Sequence, residues 1–175
     1  MSEKIGLIYA TVDGQTLKIS NKIKEVLEAN NQKIELYDIN EFNKKITDFD
    51  KLVIGSSIRY GVHNEKIIEF INTNKPQLNT VKTAFFSVNL VARKPEKNQP
   101  HTNPYVIKFF KKIDWKPTTV EVFAGNLDYT KYGFFDRIMI QFIMWMTKGP
   151  TNSKTKIEYT NWNQVTEFAN KLIHI

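Results

Sequence analysis

The stretch Thr11-Val12-Asp13-Gly14-Gln15-Thr16 follows a short apolar run and leads into a segment with helical periodicity. A turn opening a helix presents free backbone N–H groups and the positive end of the helix dipole, which together favour a phosphate. The Thr11 and Thr16 hydroxyls can donate to such a group, and Gly14 permits a positive φ or a close backbone approach. Ordinary capping accounts for the same residues, with Thr16 as N-cap and Gly14 as a turn residue. Asp13 is the discordant member, because a carboxylate repels a phosphate. It can instead fix the turn by accepting from neighbouring N–H groups, or point outward while the backbone faces the ligand. The turn is not a P-loop, since the Gly-Lys-Ser/Thr ending is missing, and it lacks the spaced glycines of a dinucleotide fingerprint.

Three later stretches also carry chemistry. In GSSIRYG (Gly55 to Gly61) Tyr60 is the one aromatic, placed to stack on a flat ligand or to pack on the next helix. Ser87 to Asn103 contains no aromatic, but Arg93, Lys94 and Lys97 can meet an acidic ligand or lipid phosphates if they are not simply solvated. FFDRIMIQFIMWMTKG (Phe134 to Gly149) is apolar around most of a helix, with Arg137, Gln141 and Lys148 as a narrow polar stripe. It exceeds the single apolar stripe of an ordinary cover helix and is too short to span a bilayer. Membrane contact, a dimer interface or a second core are the readings left, and nearby lysines favour the membrane. No residue stands out as a catalytic base. His63 lies near the second loop, but a lone histidine there suits a structural role.

These residues need a scaffold. With 175 residues, 41% hydrophobic and 13% aromatic, the chain is expected to fold as one domain, residues 1–175, with a sizeable core. It has no cysteine, which removes disulfides, thiolate metal sites and cysteine nucleophiles, so any redox chemistry must come from a cofactor. The amino terminus is too short in apolar residues for a signal peptide, and no run is long enough to cross a bilayer, so an intracellular chain, soluble or peripheral, is expected. The net charge of +7 lies in the second half: residues 1–81 hold 11 Lys/Arg and 11 Asp/Glu, and residues 82–175 hold 14 and 7.

Apolar runs at Ile5–Tyr9, Lys33–Asp38, Lys51–Ser57, Thr83–Leu90 and Thr119–Gly125 read as strands. Helical spacing follows the first at Ile19, Ile23, Val26 and Leu27, the third at Ile67, Ile68 and Ile71, the fourth at Val106, Phe109, Phe110 and Ile113, and the fifth, after the apolar segment, from Trp162 to Ile173. The link between the second and third strands has room only for a helical turn. The alternation predicts an α/β fold, a doubly wound five-stranded parallel sheet with helices on both faces. It also predicts a long loop near 89–103 and an apolar helical insertion near 134–148. Ligands in such folds bind beyond the carboxyl ends of the strands, where the loops Ala10–Thr16, Ser56–His63 and the one starting near Asn89 should meet.

TVDGQT resembles the phosphate loop of flavodoxins, with aspartate in the third place. GSSIRYG, SVNLVARKPEKNQPHTNPY, DRIMIQFIM and YTNW carry the likeness further, and together they resemble the flavodoxin-like, quinone-dependent protoporphyrinogen IX dehydrogenases of bacterial haem synthesis over nearly the whole chain. DGQT is usual in that family, so Asp13 departs only from the electron-carrier flavodoxins. The resemblance implies a flavodoxin-like fold and one non-covalent FMN. Its contacts would be Thr11, Asp13, Gly14, Gln15 and Thr16, then Ser57, Ile58, Arg59, Tyr60 and Gly61, then Ser87, Val88, Asn89 and Leu90. It implies oxidation of protoporphyrinogen IX in three two-electron cycles, with electrons passed to menaquinone or ubiquinone at the cytoplasmic face of the inner membrane. Arg93 and Lys94 become the candidate substrate contacts. A homo-oligomer is left open.

The runner-up is an electron carrier that binds FMN and has no small-molecule substrate. The basic charge and the missing second aromatic argue against it, since carriers are typically acidic and cover both faces of the ring. A receiver-like signalling domain is rejected because the third strand ends in Gly-Ser-Ser rather than in aspartate. Nucleic acid is not expected, because the basic residues lack interleaved aromatics.

Overall fold

The structure is a computed structural model that describes residues 3–175. In chain order its main elements are β1 (Lys4–Ala10), α1 (Gln15–Ala29), β2 (Lys33–Asp38), β3 (Lys51–Arg59), β4 (Val62–His63), α2 (Glu65–Leu78), β5 (Lys82–Asn89) and α3 (Pro104–Ile113). They continue with β6 (Thr119–Ala124), β7 (Asn126–Asp128), α4 (Phe134–Met146), β8 (Lys156–Glu158) and α5 (Trp162–Ile173). The main sheet has the order β2-β1-β3-β5-β6, all parallel, with β4 turned back antiparallel on the end of β3. The expected link between β2 and β3 contains one 3-10 turn, Ile46–Asp48.

The central strands β1, β3 and β5 are buried along most of their length because both faces of the sheet are covered, while the edge strands β2 and β6 carry Glu35 and Glu121. Ile5, Leu7, Val53 and Phe86 point to one side, where Ile19, Ile23 and Leu27 of α1 and Val165, Phe168 and Leu172 of α5 meet them. Ile8, Leu52, Ile54 and Phe85 point to the other, against Ile67 and Ile71 of α2 and Phe109 and Ile113 of α3. Gly55 has a packing reason for being glycine: a Cβ there would lie 2.2 Å from Phe86 Cζ. Deleting a ring such as Phe86 removes about 3–5 kcal/mol of stability.

One region departs from the predicted plan. After β6 the chain enters a two-stranded antiparallel ribbon, β7 with β8, with α4 inserted between its strands. Leu127, Tyr129, Tyr132 and Met144 form a small separate core beneath α4, joined by Leu90, Ile140 and Tyr159. The insertion therefore does have a second core, but a shallow one. Met144 is the only fully buried residue of the helix, while Phe135 stays 80% exposed and Trp145 69%. Among the described residues, no helix is long and apolar enough to cross a membrane.

Candidate functional site

The helix starts separate the site from the rest of the scaffold. Asn64, Asn103 and Asn161 cap α2, α3 and α5, each accepting from one or two N–H groups of its own helix. α1 has no such cap. Its N-cap is Gly14, in the left-handed region at φ 87°, and not Thr16. Thr16 is already the second residue of the helix, so its hydroxyl is carried inward rather than across the end. Thr11 Oγ1 accepts from Gly14 N at 3.0 Å and so closes the turn, the part first assigned to Asp13. The end of α1 is left with open N–H groups facing a cleft.

That cleft lies beyond the carboxyl ends of β1, β3 and β5 and opens to solvent. Thr11, Asp13, Gln15 and Thr16 line it from the first loop, Ser57, Ile58, Arg59, Tyr60 and Gly61 from the second, and Val88, Asn89, Leu90 and Arg93 from the third. The buried hydroxyls of Thr16 and Ser57 have no hydrogen-bond partner in the protein. An unpaired buried hydroxyl costs about 1–3 kcal/mol, so two of them on the wall of one cleft mark where a polar ligand belongs.

Three expected contacts sit elsewhere. Gly14 shapes the turn through its backbone and does not line the cleft. Ser87 lies behind the wall, where its hydroxyl accepts from Asn89 Nδ2 at 3.1 Å and bonds His63 Nε2 at 2.9 Å. It braces Asn89, which does line the cleft and whose Oδ1 accepts from Ala92 N and Asn103 Nδ2. Lys94 is also off the cleft, because the 3-10 turn Leu90–Arg93 ends there and the chain turns away in extended conformation. His63 is structural. Its ring packs 4.3 Å from that of Phe109, and burial pushes its pKa down to about 3.

Several lining residues were not foreseen. Tyr105 enters from the start of α3 and Tyr132 from the approach to α4, so with Tyr60 three tyrosines line the cleft rather than one. Burial holds the Tyr105 phenol above its ordinary pKa and pushes that of Tyr132 up to about 12, so both stay protonated. Ile140 and Ile143 make one face of α4 a wall of the cleft.

Polar contacts fasten α4 at both ends. Asp136 accepts from Arg59 and from the Tyr60 hydroxyl, with Tyr60 itself at φ 50°. The Tyr60 hydrogen bond and the Arg59 charge hold the Asp136 carboxyl below its ordinary pKa. Arg93 donates to Leu90 O at 2.9 Å, to Thr147 Oγ1 at 2.8 Å and to Thr147 O at 3.2 Å, tying the third loop to the end of α4. Asp13 pairs with Arg59 at 3.2 Å. Among the described residues, no cluster of side chains could hold a metal ion.

A doubly wound sheet with an uncapped, glycine-turned α1 at a strand-end cleft defines a flavodoxin-type chain. The family model described as a flavodoxin domain matches residues 6–154, and the chain belongs to that family. Solved flavodoxins share the architecture. A short-chain flavodoxin associated with a non-canonical PDU bacterial microcompartment superposes with a TM-score of 0.55 at 15% identity, covering 99% of this chain and 98% of that one. Oxidised Flavodoxin 1 from Bacillus cereus gives 0.53 at 12% identity, covering 98% and 97%.

The curated relatives narrow the family to the quinone-type protoporphyrinogen IX dehydrogenases. The protein of that name from Escherichia coli (strain K12) is 38% identical over 170 residues, covering 97% of this chain and 94% of its own. Its namesake from Leishmania major is 41% identical over 170 residues, covering 96% and 74%.

Proposed function

We propose that this chain is an FMN-dependent dehydrogenase that oxidises protoporphyrinogen IX to protoporphyrin IX and delivers the electrons to a respiratory quinone. The near-full-length identity to the two dehydrogenases carries this reading. The cleft is compatible with it, because unpaired Thr16 and Ser57 hydroxyls and the open end of α1 suit a phosphorylated, polyhydroxylated ligand. The whole chain would then act as one flavodoxin-like unit.

In this reading Thr11, Thr16 and the N–H groups around Gly14 and Gln15 hold the FMN phosphate. Ser57 to Gly61 and Val88 to Leu90 flank its ring. When bound, FMN supplies two-electron oxidation of the substrate, and three turnovers remove the six electrons and six protons that separate porphyrinogen from porphyrin. The protein's own share is positional. Tyr60, Tyr105 and Tyr132 give flat apolar surface, Ile140 and Ile143 exclude water from one side, and Arg93 sets the end of α4 and leaves a cation on the substrate side of the cleft.

The exposed face of α4 suits the cytoplasmic surface of the inner membrane. It shows Phe134, Phe135, Phe142 and Trp145, and residues 129–156 carry five Lys/Arg against one Asp/Glu. Apolar burial in the interface and attraction to anionic lipid then act together. Menaquinone and ubiquinone are both dissolved in that membrane. A homo-oligomer through the same face is the competing arrangement.

The test is anaerobic turnover by purified protein. Porphyrin fluorescence should appear with protoporphyrinogen IX only when a quinone is added, and the protein should carry a flavin spectrum. Bound flavin without porphyrinogen oxidation would make the chain an electron carrier. Arg93→Ala should leave the flavin spectrum unchanged and lower kcat/KM by roughly tenfold, the worth of a charge-assisted contact. A variant with unaltered kcat/KM would remove Arg93 from the substrate side.

A further inference from the structure

Three charged side chains line the cleft among the described residues: Asp13, Arg59 and Arg93. Arg93 is committed at the far side, to Leu90 and Thr147. At the turn that opens α1, Asp13 and Arg59 are the charged side chains that line the cleft, while Lys18 and Glu158 neutralise each other beside it at 2.8 Å. Asp13 and Arg59 stand 46 residues apart in sequence, yet one guanidinium nitrogen, Arg59 Nη1, reaches both Asp13 oxygens, at 3.3 and 3.2 Å. The other, Nη2, is held by Asp136 at the start of α4. The Arg59 side chain is only 25% exposed, so water screens its charge less than that of a surface residue.

We infer that Arg59 sets the preference of this cleft for a phosphorylated flavin over an unphosphorylated one, by cancelling the charge that Asp13 places in the phosphate turn. The inference rests on the FMN reading above. A turn that presents N–H groups to a phosphate dianion is spoiled by a carboxylate at its tip, unless a cation is fixed beside that carboxylate before the ligand arrives. Asp136 supplies the fixing. It holds the second arm of the guanidinium, so the pair exists without a ligand. Burial works against the charge on Arg59, but Asp13, Tyr60 and Asp136 together outweigh it and hold its pKa above the ordinary value. Lysine cannot serve as well, because a point charge cannot bridge two carboxylates in a fixed plane.

The alternative is that Arg59 grips the phosphate itself, and affinities separate the two. Protein stripped of flavin is titrated with FMN and with riboflavin, following quenching of flavin fluorescence. Arg59→Gln should weaken FMN by about tenfold or more and riboflavin by less than about threefold, since only FMN meets the uncovered Asp13 charge. Arg59→Lys should fall between. The double variant Asp13→Asn with Arg59→Gln should return FMN to within about threefold of the wild type, because no charge is left to cancel. Asp136→Asn removes the brace on Arg59 and should weaken FMN more than riboflavin, though by less than Arg59→Gln; an equal change for both ligands would overturn the fixing role given to Asp136. Equal losses for FMN and riboflavin in Arg59→Gln overturn the inference. So does a double variant no better than Arg59→Gln, the result expected of a direct phosphate contact. A wild type that binds FMN, with Arg59→Gln unchanged, rejects the inference alone. A wild type that binds no flavin rejects the cofactor reading with it.

Discussion

His63 shows at the scale of one residue how the scaffold protects the site from its own titratable groups. Its ring is sealed against Phe85 and Phe109, and burial pushes its pKa down to about 3. The histidine of the unfolded chain titrates near the ordinary value of about 6.5. Below that pH the unfolded chain takes up a proton that the folded chain refuses, so stability falls as pH drops from about 6.5 towards 3. Between pH 7 and pH 5 this residue should contribute a loss of about 2 kcal/mol. His63→Gln keeps a partner for Ser87 and cannot titrate. Denaturant unfolding at the two pH values should show the acid-induced loss shrink by that amount in the variant. An unchanged loss would mean that the ring reaches water in the native state. The same burial accords with the structural role that a lone histidine at that place suits.

At the scale of the element, α4 has two incompatible-looking faces that serve different neighbours. Ile140 and Ile143 face the cleft and Met144 the small core, while Phe134, Phe135, Phe142 and Trp145 face outward. Phe142 and Trp145 stack on each other at 6.0 Å on the exposed side, away from the buried contacts. Changing both to serine should release the protein from anionic phospholipid vesicles while its flavin stays bound. High salt should weaken the binding of the wild type only in part, because apolar burial is not screened. Full vesicle binding by the double variant would take the membrane away from this face. A vesicle-independent fall in molecular mass would assign the face to a second copy of the chain.

At the scale of the whole molecule, the sheet and its cover helices were legible because the central strands, buried on both faces, leave mostly apolar runs and helices leave a 3.6-residue stripe. The ribbon of β7 and β8 left no such trace: its strands have three residues each, and Lys156, Ile157 and Glu158 are all exposed. The first two loops of the cleft were legible as a turn with the right residue types and a glycine-bounded stretch. The wall made by α4 was not, because the Arg59–Asp136 contact joins positions 77 residues apart and no local pattern announces it. Tyr105 and Tyr132 escaped for a similar reason, since topology alone brings them to the cleft. The small core under α4 has a further consequence, for the order in which the molecule comes apart. Four buried side chains hold the insertion, against the two extended layers that hold the sheet. The insertion is therefore expected to open as a separate cooperative unit while the sheet stays closed. Native-state hydrogen exchange should find the amides of α4 exchanging through this partial opening, at a lower free energy than those of β1, β3 and β5. Matching protection in both regions would show one cooperative unit instead. In a molecule that opens this way, the cleft loses one wall and keeps its floor, so a ligand can leave or arrive without the protein unfolding.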